Sequence, residues 1–250
     1  MNKRTLSVLA FTAALGFSGA ANALLFDRGN GLIYDDVLDI TWLADANLFK
    51  TQYDADNTVV NQIISAVPTI TDSTGTHNVV AGDFFTGGGG MTWWGAMAWA
   101  EWLNFGGYDD WRLPTTLQPD SSCEYQSGGV SYGDNCTGSE MGHMFYNNLG
   151  ATVGSSILNG SNTANLSLFS GIQNFVYWSG TEYAPGTYSA WFFNADFGNQ
   201  FALNKDIENF AWAVRSGDVA AVDPSIPEPG SLTLVGLGLV GLGWVRRRRG

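Results

Sequence analysis

The chain has 250 residues, of which 45% are hydrophobic and 14% aromatic, so it can bury a core and is not a disordered polymer. Only 14% of residues are charged, against about 25% in an average soluble protein. A formal charge of −12 excludes nucleic-acid binding by phosphate neutralisation, so no nucleic-acid partner is expected.

Residues 1–23 read as an address rather than fold. Lys3 and Arg4 precede a short apolar run, Leu6 to Phe17, and Ala21-Asn22-Ala23 supplies the small residues that signal peptidase cuts after. No lipobox Cys follows, so a lipoprotein is not expected. The domain expected beyond the cut, residues 24–222, precedes a linker from Asp223. Residues 24–226 hold five basic residues (Arg28, Lys50, Arg112, Lys205, Arg215) against 22 acidic ones, a formal −17. Such a domain repels polyanions and attracts cations, calcium among them.

In chain order, Leu32 to Tyr34 and Asp39 to Leu43 carry strand signals, with Asp35 and Asp36 at the turn. Ala44 to Gln52 is predicted helical. Val59 to Val67 has apolar residues at helical spacing, and Pro68 stops it. Thr69 to Phe85 reads as a loop or hairpin, and Gly87 to Gly90 as a break. Thr92 is the expected cap of a helix from Trp93 to Asn104, with Trp94, Met97, Ala98 and Trp102 on the inward stripe. Ser139 caps a second helix that turns Met141, Met144, Phe145 and Leu149 inward. Aromatic-rich strands are predicted at 175–179, 188–194, 200–204 and 210–216. This order implies an α+β fold.

Cys123 and Cys136 lie in the exported part. An even count in an oxidising compartment predicts one disulfide closing the polar loop Ser121–Gly138, stabilising by about 3 kcal/mol in the chain-entropy model. A zinc pair or catalytic thiol has only His143 nearby, an incomplete ligand set.

At the far end, Asp223 to Pro229 is a polar linker ending in Pro227-Glu228-Pro229. An apolar run of fifteen residues, 231–245, follows, and then Arg246, Arg247, Arg248 and Arg249. As a helix the run spans about 23 Å against a hydrocarbon core of about 30 Å, a shortfall met by snorkelling Arg and local thinning. Four Arg hold that end on the cytoplasmic side, giving a transmembrane helix as membrane anchor. A GPI signal would not normally end in four Arg. The triplet, short helix and Arg cluster resemble the PEP-CTERM sorting signal of Gram-negative bacteria. That resemblance implies exosortase as a partner, processing near the triplet, and a link to exopolysaccharide and biofilm.

Three blocks resemble the Lcl C-terminal domain family. They are 27–42 (Asp27-Arg28-Gly29-Asn30-Gly31-Leu32-Ile33-Tyr34-Asp35, then Leu38 to Trp42), 107–115 with Gly107-Tyr108-Asp109-Asp110-Trp111-Arg112-Leu113-Pro114-Thr115, and 177–215 with Tyr177-Trp178-Ser179-Gly180-Thr181-Glu182-Tyr183. The resemblance implies a C-type-lectin-like fold: N- and C-terminal strands pair into a short antiparallel sheet, two helices flank it, and long loops carry any ligand site. Residues 118–138 read as an insertion into that pattern, and the strong acidity departs from a family whose namesake adhesin is linked to sulfated glycans.

Asp110 and Arg112, flanking Trp111 before Pro114, are expected to form a structural ion pair rather than a ligand contact. Asp54, Asp56 and Asn57 are closely spaced oxygen donors, a fragment of a calcium-loop pattern without its turn Gly and distal Glu. Asp109, Glu182, Asp196, Asn199 and Asp206 are further loop donors, and solvated acidic loops are the commoner explanation for each. Trp93, Trp99 and Tyr183 are candidate sugar-stacking platforms, although Trp at helical spacing is more often core. Trp94, Trp102, Trp111, Trp178, Trp191 and Trp212 are assigned to the core. His77 and His143 lack recognisable partners, and no hydrolase, zinc-protease or P-loop motif occurs. The expectation is a non-enzymatic, exported envelope or matrix protein that binds carbohydrate or protein, extracellular polysaccharide included. The alternatives are an exopolysaccharide hydrolase and a structural matrix protein without a ligand.

Overall fold

The computed structural model describes residues 25–219. The expected signal peptide (1–23) and the sorting tail with its apolar run (223–250) lie outside the described residues. The chain divides into two compact units, 1–218 and 219–250, and the elements below belong to the first. Among the described residues no helix is long and apolar enough to cross a membrane.

In chain order the elements are β1 (Leu25–Asp27), β2 (Leu32–Asp35), β3 (Ile40–Leu43), α1 (Leu48–Ala55), α2 (Val59–Ala66), β4 (Thr69–Asp72), β5 (Gly75–Asn78), β6 (Phe84–Phe85), β7 (Gly90–Met91) and α3 (Trp93–Trp102). Then come β8 (Tyr125–Ser127), β9 (Val130–Asp134), α4 (Glu140–His143) running into a wider turn at Met144–Asn148, α5 (Thr163–Leu166), β10 (Val176–Glu182), β11 (Ser189–Asn194), β12 (Asn199–Asn204) and β13 (Val214–Ser216). The fold is α+β, as the sequence predicts. One antiparallel sheet has the order β1-β2-β3-β13, so the last strand pairs with the N-terminal hairpin. A second runs β10-β11-β12-β9-β8, and β4-β5 and β6-β7 are separate hairpins.

Local chemistry explains the punctuation. Asp27 Oδ1 accepts from Gly29 N–H, and Asp35 Oδ1 from Val37 and Leu38 N–H, so each Asp builds the turn that follows it. Asp56 Oδ1 accepts from Thr58 N–H at the start of α2, and Val67-Pro68 ends that helix. Thr92 caps α3, its Oγ1 accepting from Gly95 N–H at 3.1 Å.

The inward face of α3 differs from expectation. Trp93, Ala96, Trp99 and Ala100 are buried, whereas Trp94, Met97 and Trp102 are half-exposed. Nearly every position of this helix is apolar, so periodicity carries no directional signal, and tertiary contacts choose the face. Trp111, Trp178, Trp191 and Trp212 are core residues as assigned; Trp94 and Trp102 are not. Three buried indoles satisfy their N–H groups on distant backbone: Trp93 donates to Ser179 O, Trp178 to Met91 O and Trp212 to Leu43 O, at 2.7–2.9 Å, whereas the buried Trp42 Nε1 has no partner among the described residues. The expected second helix is real but short, and Met141, Met144, Phe145 and Leu149 are all buried.

A buried ion cluster joins four segments. The Lys205 side chain, 0% exposed, donates from Nζ to Asp72 Oδ2 at 2.8 Å and Glu182 Oε2 at 2.7 Å, and lies 4.6 Å from the centre of the Trp93 ring. Trp94 Nε1 also donates to Asp72, and Ser73 donates to Glu182. Burial raises both carboxyl pKa values, but these hydrogen bonds outweigh it, Lys205 first, and hold both groups below their ordinary range. Because both titrate lower when folded than when unfolded, their stabilisation is complete above about pH 4.3 and is lost as pH falls through the folded values. Lys205→Ala strands two carboxylates and is expected to cost about 3–5 kcal/mol in chemical denaturation. Asp72→Asn with Glu182→Gln is expected to flatten the acid limb of the Tm-against-pH curve.

Candidate ligand-binding face

The residues expected to be an insertion leave the frame and return to it at one point. Arg112 donates from Nη1 and Nη2 to the two carboxylate oxygens of Glu140, both at 2.7 Å. Glu140 Oε2 also accepts from Thr115 N–H, Glu140 N–H donates to Thr115 O, and Leu117 N–H donates to Ser139 Oγ. The expected Asp110–Arg112 pair is therefore corrected. The bridge between Arg112 and Val214 sets Arg215 beside Asp110, and Arg215 donates to it at 2.7 and 2.9 Å. This bond holds the Asp110 carboxyl below its ordinary range. Trp111 is buried, its Nε1 donating to Tyr108 O, and Pro114 O accepts from Gly180 N–H, so the whole motif is structural.

Within the excursion, Cys123 and Cys136 are bonded as expected. Asp120 accepts from Ser122 and Gly138 N–H across the loop. The stretch is more ordered than a polar loop. It folds into the β8–β9 hairpin, and β9 joins β12 through the pairs Asn199–Asp134 and Gln200–Gly133. Tyr146 OH, accepting from Asn135 N–H at 3.0 Å and donating to Gly198 O, pins it to the rest of the domain.

This extension creates an aromatic row. Tyr125 of β8 and Tyr132 of β9 are direct cross-strand partners, stacked at 5.4 Å. Tyr132 lies 5.8 Å from Phe201 of β12, and Phe201 lies 6.4 Å from its partner Phe192 of β11. Four rings thus cross four adjacent strands, a span of about 14 Å at ordinary strand spacing. Burial alternates along β9: Val130, Tyr132 and Asp134 are half-exposed, Ser131 and Gly133 buried. Tyr125 is 48% and Phe201 37% exposed, so this side of the sheet is uncovered. The opposite side is core, where Phe193 meets Phe145 at 5.4 Å. The open face ends at β10, whose Trp178, partner of Phe192, is fully buried. Gly133 matters to the row: at φ +91° a Cβ would lie 2.6 Å from Tyr125 Cδ2, so only glycine lets that ring close on β9.

Where β9 parts from β12, a cleft of about 260 Å³ opens. Tyr132 and Phe201 line it together with Tyr183, Ser189, Trp191 and Ala202. Ser189 Oγ meets Asn204 Oδ1 at 3.3 Å, so aromatic faces and hydrogen-bonding groups converge here. A neighbouring cleft of about 250 Å³ is lined by Trp94, Tyr188, Asn204 and Asp206. Carboxylates mark the excursion end of the row. The neighbouring Glu124 carboxylate raises the pKa of the Tyr125 phenol. Burial, and then Glu124, raise Asp134, while its bond with Asn199 opposes them.

Of the three expected stacking platforms, the structure brings only Tyr183 to this site. Trp93 and Trp99 are buried, Trp99 with its Nε1 donating to Gln52, so neither offers a face. Asp54 takes both short bonds from Lys50, and Asp56 is used by Thr58 and Gln62, so the carboxylates of the Asp54, Asp56, Asn57 set already have partners in the chain. Among the described residues, Asp120 lies close to Cys123 and Cys136 as metal ligands would, but both sulfurs are in the disulfide. The histidines are not lone. His77 stacks on Trp94 at 4.2 Å and meets Asp83 Oδ2 at 3.0 Å. His143 Nε2 lies 3.9 Å from Asp35 Oδ2, and burial lowers its pKa against that carboxylate. The row itself was missed. Its sequence signal is the alternation at Val130, Tyr132 and Asp134 after Gly128-Gly129, a hairpin turn before a half-exposed strand.

An α+β domain with an uncovered aromatic face and a cystine-braced hairpin is built like disulfide-containing extracellular domains. The Lcl C-terminal domain model matches residues 31–215, well over half of the chain, and the chain belongs to that family. The PEP-CTERM protein-sorting motif matches 225–249, so this is an exported protein bearing the signal that exosortase recognises. No curated protein and no solved structure matches it.

Arg112→Ala is expected to lower folded yield, because the base of the excursion then opens; limited proteolysis within 118–138 reads the change. Replacing both Cys123 and Cys136 by Ser is expected to cost about 3 kcal/mol at most, and to loosen Tyr125 and Tyr132 while the Trp42–Trp212 core stays intact. Near-ultraviolet circular dichroism and denaturation distinguish the two effects.

Proposed function

We propose that this protein is a non-catalytic carbohydrate-binding component of the cell envelope or extracellular matrix, released or retained by exosortase processing and associated with exopolysaccharide. The observation that carries this reading is the aromatic row with its adjoining cleft. Half-exposed rings in a line, bordered by Ser189, Asn204, Asn199 and Asp134, offer apolar faces for sugar C–H surfaces and polar atoms for hydroxyls. A lone hydrophobic patch would serve a protein partner equally, but the polar border and the length of the row favour an extended glycan. The pairing of β3 with β13 supports the lectin-like reading of the frame.

Screening the exported domain on a glycan array, with and without calcium, tests the proposal. Binding without turnover is expected. Tyr132→Ala and Phe201→Ala are each expected to weaken it at least about tenfold, near 1.4 kcal/mol, without shifting Tm by more than a few degrees. Product release would instead assign a hydrolase, and silence across the array would leave a structural matrix protein. For sorting, replacing Pro227, Glu228 and Pro229 by Ala is expected to leave the Arg-tailed form in the membrane fraction, detected with a tag on the C-terminus.

A further inference from the structure

We infer that the glycan held on the aromatic row is cationic, a hexosamine polymer bearing free ammonium groups rather than a neutral or anionic chain. The inference rests on the carbohydrate-binding reading and adds the charge of the ligand to it.

Three observations converge. First, no Lys or Arg occurs between Arg112 and Lys205, a stretch that supplies every strand of the open face. Second, each basic residue in the described part is committed to an internal partner: Arg28 to Asp218, Lys50 to Asp54, Arg112 to Glu140, Lys205 to Asp72 and Glu182, and Arg215 to Asp110. None forms an ion pair with Glu124 or Asp134, which lie side by side at the end of the row: Glu124 N–H donates to Asp134 O at 2.9 Å, and Asp134 is two residues from Tyr132 on the half-exposed side of β9. Glu124 adds its charge to that of Asp134, and among the described residues no Lys or Arg forms an ion pair with either. Third, the rings beside them carry negative potential on their faces, which attracts an ammonium group as well as a sugar's C–H surface. A polyanion meets repulsion from both features and from the domain's overall field, whereas a polycation is steered to this face.

The test compares glucosamine oligomers of equal length, one set fully N-acetylated and one fully deacetylated, at about pH 5.5, where the oligomer's amines are charged. The deacetylated oligomer is expected to bind at least tenfold more tightly. That advantage is expected to shrink as salt rises from about 0.1 M to 1 M, where the Debye length falls from about 10 Å to 3 Å. Glu124→Gln with Asp134→Asn, which keeps side-chain shape, is expected to abolish the advantage. Phe201→Ala is expected to lose both oligomers.

Equal affinity for the two oligomers overturns the inference and leaves the carbohydrate reading standing. Tighter binding that survives in Phe201→Ala, or in the double carboxamide variant, is bulk attraction between a polycation and an acidic protein, and also overturns it. If neither oligomer binds but another glycan on the array does, the ligand class is wrong and the reading holds; if nothing binds, both fall.

Discussion

Scarcity of positive charge governs this molecule. Five basic residues face 22 acidic ones in the exported part, and the structure spends four of the five on ties between segments far apart in sequence. Arg28 reaches Asp218 across 190 residues, and Arg215 reaches Asp110 across 105. Lys205 is taken out of water altogether to hold the β4–β5 hairpin against β10 and β12. Desolvating an ammonium is costly unless two carboxylates and an aromatic face surround it, which is what Asp72, Glu182 and Trp93 supply. Carboxylates left over from these ties set the field around the open face.

Much of the frame was legible because local rules and tertiary outcome agree. The helical spacing of Val59 to Val67, the Thr92 cap, the aromatic strands after 175 and the cystine all lie where residue chemistry points. The α3 face was not legible, because a run such as Trp93-Trp94-Gly95-Ala96-Met97-Ala98-Trp99 is apolar on every side. Arg112 illustrates a different limit. Its neighbour Asp110 is the obvious partner in sequence, yet the guanidinium finds Glu140 28 residues on, since only the fold brings that carboxylate near. A buried lysine runs against composition statistics, and nothing around Lys205 in sequence announces it.

The site was the least legible part, for a topological reason. Its four rings come from β8, β9, β11 and β12, which are neighbours across the sheet but are split into two pairs far apart in sequence, so no window of sequence contains the row. Aromatics singled out by spacing, Trp93 and Trp99, went to the interior, where large flat rings with one donor bury most area. Those that face solvent belong to strands half covered by their own sheet. Tyr183 connects the two groups, a loop residue at the edge of the β10–β11 turn that lines the cleft.

Glu140 gives the domain a seam. One carboxylate receives the arginine before the excursion and the backbone at its start, and Thr115 O takes the Glu140 amide in return. Entry and exit therefore meet at a single junction that the hairpin does not itself build. A lineage could exchange everything between that junction's two sides, lengthening it, deleting it or swapping its rings, and keep the same chassis beneath. Relatives with a short link at this point would then share the scaffold but lack the outer half of the aromatic face, so kinship in fold would not carry kinship in surface.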